Sequence, residues 1–419
     1  MKKTLLLSVV ASAVVMAGGD ISPVEPAVEA PVVEETASNW DFNGQAVIYY
    51  QTTDKGAADL FDKGSSAAAA GLQLKAVNDD VAYGIGAGVE VSGISDLYLF
   101  PEVVGGFQQT ANNQILASGD IINSDLTADS GAEITQGYLT YAVDNTSFKL
   151  GRQALPKALS PFAFSESWNV FKNTFDAALA VNTDIEDTTL VYAFVKAANN
   201  SLNLGTFAEL NGSDGVHMLT AQNKSIDGLT LTGTYYYIAA QNGGDDSNLF
   251  WADAKYALGE YDIAVQGGYM DMETGSTTTS DNTIAAGLKV SSDFDMFKAS
   301  LAYSYVNEGE ANVANFGGIK TPLYTQMIAN QTVIQNDAQY VKVAASTELY
   351  DGNVGLAYGM RVAADNTNTD KTNPFELDAT YSTKVFDEST TLFAGYVLSA
   401  KDLDADKSNI VRVWGRYNF

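Results

Sequence analysis

After Trp40 the chain alternates apolar and polar residues with a period of two, the mark of strands whose two faces meet different surroundings. Phe375, Leu377, Ala379, Tyr381, Thr383 and Val385 share one face; Glu376, Asp378, Thr380, Ser382 and Lys384 share the other. Val354, Leu356, Tyr358, Met360 and Val362 oppose Asn353, Gly355, Ala357, Gly359 and Arg361 in the same way. The pattern predicts eighteen strands, near 40–53, 67–78, 81–92, 133–143, 146–153, 174–182, 187–196, 215–224, 228–240, 249–257, 259–270, 282–292, 294–306, 338–349, 353–363, 375–385, 389–400 and 408–419.

Connections alternate between short and long. Short ones carry turn residues: Asn78-Asp79-Asp80, Asp144-Asn145, 183–186, Ser225 to Gly228, Leu258-Gly259, Ser292-Asp293, Tyr350-Asp351-Gly352 and Phe386 to Glu388. The longest lie at 93–132, 154–173 and 307–337. An even strand count with short turns at one end and long loops at the other predicts an all-β fold: a transmembrane antiparallel up-and-down β-barrel. Pro101, Pro156, Pro161, Pro322 and Pro374 all fall in long loops, as a ring without a free edge requires. A soluble sandwich also alternates, but its inner faces are apolar and its strands short.

Composition agrees. With 22 Tyr, 19 Phe and 36 Gly the chain suits a barrel with aromatic interfaces. No Cys is present, which excludes a disulfide scaffold or a thiolate metal site. Residues 1–17 have a basic start, an apolar run and small residues at the end, and read as a secretory leader. Residues 18–38, rich in Pro, Glu and Val, read as an acidic periplasmic tether before a barrel spanning 39–419. Losing Lys2 and Lys3 with the leader takes the net charge from −28 to −30, which argues against nucleic acid as a partner.

The last strand ends on an aromatic, Phe419, with Tyr417, Val413 and Val411 on the same face and Arg416, Trp414 and Arg412 on the other. A terminal aromatic strand of this kind resembles the signal by which Gram-negative barrels reach their assembly machinery, which gives Tyr417 and Phe419 that role. The fifth strand ends Gly151-Arg152-Gln153-Ala154-Leu155, and Asn173-Thr174-Phe175 follows a loop rich in aromatics. This spacing resembles the Gly-Arg-Gln-x-Leu and Asn-Thr-Phe pattern of the OprD-type outer-membrane porins, and among them the major porins of epsilonproteobacteria. The resemblance implies a bacterial outer-membrane location with both termini in the periplasm and assembly as a homotrimer. It also implies an inward-folded constriction loop at 154–173, to which Lys157, Phe162, Phe164, Glu166, Trp168 and Lys172 belong. Lys157, Glu166 and Lys172 are then the side chains offered to a solute. Parity puts Arg152 on the outer face, and its role is left open.

Parity assigns ten cations to the lumen: Lys75, Lys149, Lys255, Lys289, Lys298, Lys342, Arg361, Lys384, Arg412 and Arg416. Seven acids join them: Glu90, Asp176, Asp253, Asp262, Glu348, Glu376 and Asp378. The cations on the last seven strands, Lys289 to Arg416, form an expected basic track facing Glu348, Glu376 and Asp378. Most remaining acids lie in the long loops and make an acidic vestibule. The expected partners are small hydrophilic solutes and ions, outer-membrane lipid and the barrel assembly machinery. No enzyme is expected: His217 is the single His, no nucleophile or phosphate-binding motif accompanies it, and no cofactor or metal is implied. The competing reading is a structural or adhesive barrel that conducts little.

Overall fold

The computed structural model describes residues 40–54, 59–97, 103, 106–107, 131–166, 170–199, 204–240, 245–272, 282–309, 313–318, 320–329, 334–364, 373–386, 388–401 and 405–419. The leader, the tether, most of 93–132 and Trp168 lie outside them.

Eighteen long strands form one sheet. They are β1 (Asp41–Thr53), β2 (Ser66–Ala82), β3 (Ile85–Ser95), β4 (Gly131–Val143), β5 (Thr146–Gln153), β6 (Phe175–Asn182), β7 (Thr188–Ala198), β8 (Val216–Ile226) and β9 (Leu229–Ile238). The second half comprises β10 (Ser247–Leu258), β11 (Tyr261–Asp271), β12 (Thr283–Asp293), β13 (Lys298–Val306), β14 (Ala338–Leu349), β15 (Gly352–Ala364), β16 (Phe375–Val385), β17 (Thr390–Ala400) and β18 (Lys407–Asn418). Each pairs antiparallel with the next, and β1 pairs antiparallel with β18, so the sheet closes. Two further two-residue strands, Gly106–Phe107 and Ala208–Glu209, extend the long-loop ends of β2 and β7.

The first hairpin corrects the expected turn at Asn78-Asp79-Asp80. β2 runs on to Ala82 through a register shift after Asn78, and the chain reverses at Tyr83 and Gly84, where φ is 54° and 79°. Asn78 accepts from the Asp80 amide and Asp80 from the Gly84 amide, so these polar residues brace the ladder's end and do not form the turn.

The two faces of the ring differ in kind. Leu74, Leu139, Leu150, Leu219, Phe250, Val265, Leu301, Val343 and Leu356 are exposed on the outside. Inward positions carry Gln51, Gln73, Glu90, Ser92, Thr220, Thr234, Gln266, Ser304, Glu376 and Arg412. This is the reverse of a water-soluble sandwich and fits a wall with hydrocarbon outside. His217 also faces out. Its neighbours Val216 and Met218 are buried inward, and its ring lies among Tyr192, Phe194 and Tyr237, with Nδ1 2.8 Å from the Tyr192 hydroxyl.

One band of the outer wall is thin. Ala221, Gly233, Ala252, Gly267 and Ala286 are successive cross-strand partners from β8 to β12. The row above it holds Leu219, Tyr235, Phe250, Tyr269 and Ile284, so the small residues form the floor of a shallow apolar trough at mid-height.

The seam between β1 and β18 is stitched along its length. Gly44 and Phe419 exchange backbone bonds of 2.8 and 3.0 Å. Arg416 donates to Gln45, Arg412 donates to Gln51, and Asn409 donates to Asp54.

Candidate functional site: a bore crossed by two loops

The first inward loop begins where β5 ends. Gly151 has φ +124°, and a Cβ there would sit 2.3 Å from the Gly137 carbonyl, so only glycine fits. Gly151→Ala is therefore expected to destabilise the protein by about 2 kcal/mol or more, read as a lowered unfolding midpoint, by conformational strain plus overlap. Gln153 faces inward and donates to the carbonyls of Gly151 and Ala177 at 3.1 and 3.0 Å. Arg152 faces outward. It grips Asp176 with Nε and Nη2 at 2.8 and 3.2 Å and lies under the Phe207 ring, 3.3 Å from its centroid. Asp176, expected in the lumen, is thereby corrected to the outer face. Its neighbour Phe175 is fully buried on the inner side, and adjacent residues of a strand point opposite ways.

From Gln153 the chain turns into the bore. Thr220 donates to the Leu159 carbonyl at 2.8 Å, and the Phe162 amide donates to the Tyr236 hydroxyl at 3.0 Å. The Phe162 ring meets Tyr236 and Trp251 edge-on at 5.8 and 5.4 Å. The other end of the loop packs elsewhere: Val170 and Phe171 are buried with Val47, Tyr49, Phe393 and Trp414. Arg416 donates to the Val170 carbonyl at 3.2 Å. In a ring of eighteen, β9 stands opposite β18, so the loop spans the bore.

A second loop, 307–337, also folds in, and nothing in the sequence pattern marked it. It meets the first loop backbone to backbone, with the Phe316 amide donating to the Phe162 carbonyl at 2.7 Å. Asn315 accepts from the Phe164 amide at 3.0 Å and donates to the Phe164 carbonyl at 2.7 Å. Glu166 is the clasp. Buried to 3% exposure, its Oε1 accepts from the Lys320 amide and the Asn315 amide group, both at 2.9 Å. Asn173, of the Asn-Thr-Phe motif, accepts from the Glu166 amide at 2.6 Å and donates to the Gly317 carbonyl at 2.6 Å. Glu166 was expected to meet a solute; it joins two loops instead. Lys157 is half-buried with its Nζ 5.2 Å from the Phe164 ring centre, and Lys172 is half-buried beside Phe171.

The tip of the second loop docks back on the wall it springs from, β13 to β16. Met327 is buried with Ala344 and Ala357. Lys342 donates to the Gln326 carbonyl, and Thr325 lies 2.6 Å from the Ser304 hydroxyl. Glu376 accepts from the Ala329 amide at 2.6 Å and Asp378 from the Ile328 amide at 3.3 Å. Tyr324 reaches across to donate to Asp253 on β10. Burial, and then the Asp253 carboxylate, push the Tyr324 hydroxyl's pKa well up, so it stays a donor.

The expected basic track is dispersed. Lys342, Glu376 and Asp378 are buried beneath the second loop, and Arg412 and Arg416 stitch the seam. Lys298 pairs with Asp293 at 3.2 Å and Lys384 with Glu388 at 3.4 Å, both near the short-turn rim, where Glu348 is exposed. Lys289 and Arg361 face inward on β12 and β15. Parity fixes a face but not depth or partner, which is why the track read as continuous.

Known structures share this architecture. The outer-membrane protein OpdK of Pseudomonas aeruginosa, solved with vanillate, is 13% identical over 90% of this chain and 98% of its own, with a TM-score of 0.70. OccAB4 of Acinetobacter baumannii is 13% identical over 91% and 97%, with a TM-score of 0.69. OccK2 (OpdF) of Pseudomonas aeruginosa, in complex with glucuronate, is 11% identical over 91% and 98%, with a TM-score of 0.69. No protein-family model and no curated protein matches the chain.

Proposed function

We propose that this protein is an outer-membrane channel for passive diffusion of small hydrophilic solutes. One observation carries the reading: a closed ring, apolar outside and polar inside, with two loops anchored across its bore. A ring of eighteen strands exceeds what its own side chains fill, whereas about eight strands leave no aqueous path. Loops folded into such a bore narrow it and define what passes. A structural or adhesive barrel needs its loops on the surface; here their central residues are buried within the ring.

The OpdK and OccK2 structures carry vanillate and glucuronate, and both ligands are carboxylates. Small carboxylates are the solutes this channel is expected to carry best. Lys157, Phe162, Phe164 and Lys172 belong to the constriction, with Glu166 fixing its shape. By the family resemblance the short-turn end and both termini face the periplasm, Tyr417 and Phe419 present the assembly signal, and the protein forms homotrimers. The likeness to the major porins of epsilonproteobacteria rests only on the motifs Gly151-Arg152-Gln153-Ala154-Leu155 and Asn173-Thr174-Phe175 and on the acidic, Pro-rich segment before Trp40.

Liposome swelling with refolded full-length protein tests the reading. Entry of arabinose and glycine is expected, with exclusion of large oligosaccharides; liposomes that swell no faster than empty ones would remove the channel function. Acidic residues at both rims, among them Asp144, Asp187, Asp245, Asp246, Glu260 and Asp351, are expected to give weak cation preference at 10 mM salt. That preference fades by about 1 M, where screening acts within about 3 Å. Clear anion preference at low salt in planar bilayers would overturn this reading of the rims.

A further inference from the structure

The short-turn end of the ring carries bulky apolar side chains where turn chemistry favours small polar ones. Tyr83 with Gly84, and Tyr350 with Asp351, are the central residues of two-residue hairpins, with φ of 54° and 79° and of 51° and 56°. Positive φ at both places is the I′ turn, which takes Asn, Asp or Gly first. Here an aromatic residue holds the first place twice, and Phe386 adopts φ 51° where β16 turns to β17. A residue with a bulky side chain resists this region of backbone, so local conformation does not select these three. Packing does not select them either: Tyr83, Tyr350 and Phe386 are 97%, 83% and 78% exposed. Backbone strain kept without a local gain points to function.

Apolar tips recur round this rim. Ile185 projects between β6 and β7, and Met296 between β12 and β13, beside the packed rings of Phe294 and Phe297. Ile226 and Leu258, also exposed, fill the arc between them. The aromatic tips lie beyond the last ladder pairs, Ala82 with Ile85, Leu349 with Gly352 and Val385 with Thr390. They stand a step outside the strand-borne aromatics Tyr256, Tyr261 and Tyr417. Carboxylates adjoin the tips in sequence: Glu186 beside Ile185, Asp227 beside Ile226, Asp295 beside Met296 and Asp351 beside Tyr350. Lys298 and Lys384, at the same rim, are already paired with Asp293 and Glu388. A protein partner would engage one side of the ring. Tips spread over its circumference, with the Asp144-Asn145 turn as the gap, match something that encircles it, and lipid does.

We propose that the short-turn rim is a binding surface for lipid headgroups that bear an ammonium, phosphatidylethanolamine in kind: the apolar tips sit in the headgroup layer and the adjoining carboxylates receive the ammonium. The proposal rests on the membrane reading above. Aromatic side chains favour the bilayer interface, where apolar and wet surroundings meet. Their ring faces also attract ammonium groups. The carboxylates beside them repel anionic headgroups and attract cationic ones. Contacts of this kind round the whole ring fix the depth at which the barrel sits in the leaflet.

The test compares urea unfolding of the refolded full-length protein in three surroundings: vesicles containing phosphatidylethanolamine, vesicles containing phosphatidylglycerol, which lacks the ammonium, and maltoside micelles, which carry no charge. Tyr83→Asn, Tyr350→Asn and Phe386→Asn are combined in one variant, which relaxes three turns while removing three rings. Its folded-to-unfolded ratio is expected to fall about threefold per ring in phosphatidylethanolamine, the weight of one exposed cation–π contact. In micelles it is expected to hold or to rise, because Asn accepts positive φ. Asp295→Asn with Asp351→Asn keeps both turns for the same reason. This pair is expected to narrow the wild-type preference for phosphatidylethanolamine over phosphatidylglycerol at least about threefold. Equal losses in vesicles and micelles would reduce the tips to turn-formers and overturn the assignment. So would unchanged stability throughout, the result if the tips served a protein partner, or a wild type indifferent to headgroup. Should the triple variant not refold, the Asp295 and Asp351 pair decides the matter. No step reads current. Wild-type protein that fails to enter vesicles would sink the membrane reading, and protein that enters without conducting would sink only the channel.

Discussion

Replacing Glu166 by alanine is expected to cost about 3 kcal/mol of stability and to raise single-channel conductance. Glu166 Oε1 is the shared acceptor for the Lys320 amide and the Asn315 amide group, and the carboxylate is buried where two loops meet. Removing it takes the acceptor from the Lys320 amide and from one hydrogen of the Asn315 amide group, whose other bond to the Phe164 carbonyl stays, at about 1–3 kcal/mol each before relaxation. Water entering the gap recovers part of that and loosens the loop from its neighbour. Glu166→Gln keeps an acceptor oxygen in place and is expected to lose only about 1 kcal/mol. Thermal midpoints from gel mobility and bilayer recordings check both halves. If Glu166→Ala conducts like wild type at an unchanged midpoint, the clasp does not shape the path.

The second large effect concerns the wall. Ala252→Arg is expected to destabilise the folded protein by about 2–4 kcal/mol in bilayers, because it puts a guanidinium at mid-height on the hydrocarbon side. Ala252 lies at the centre of the small-residue row on the outer face, with Gly233 and Gly267 beside it. Thr232→Arg, one row away on the inner face of β9, is expected to cost less than about 1 kcal/mol because water is there. Urea titration in lipid vesicles compares the two. Equal costs would mean that the two faces do not differ in their surroundings, and a larger cost at Thr232 that they are assigned the wrong way round.

The architecture was legible because strand parity is a local property. Each of the eighteen runs announced itself by alternation, and the prolines stayed out of them. Features fixed by tertiary contacts were not legible. The loop 307–337 carries Gly317, Gly318, Pro322 and Met327, a composition equally suited to a surface excursion. Its docking depends on Ala344, Ala357 and Gly359 leaving a hollow, and these lie on strands whose depth parity does not give. Arg412 and Arg416 looked like pore cations because nothing local says that β1 lies beside β18 and brings Gln51 and Gln45 to them. The Gly-Arg-Gln and Asn-Thr-Phe residues were rightly singled out, yet their parts differ. Arg152 braces the exterior, while Gln153 and Asn173 hold the loop's two ends.

The stitched seam has a consequence for how the molecule comes into being. Arg412 and Gln51 stand 361 residues apart in the chain, so the first ribbon waits for nearly the whole of synthesis before its neighbour exists. Until then both margins of the growing sheet offer unpaired amides, an invitation to pair wrongly. Looping entropy grows only slowly with span, so the delay is a matter of order rather than of thermodynamic penalty. Losing the final dozen residues would not yield a smaller cylinder. It would leave an open sheet with two raw margins and nowhere in a membrane to put them.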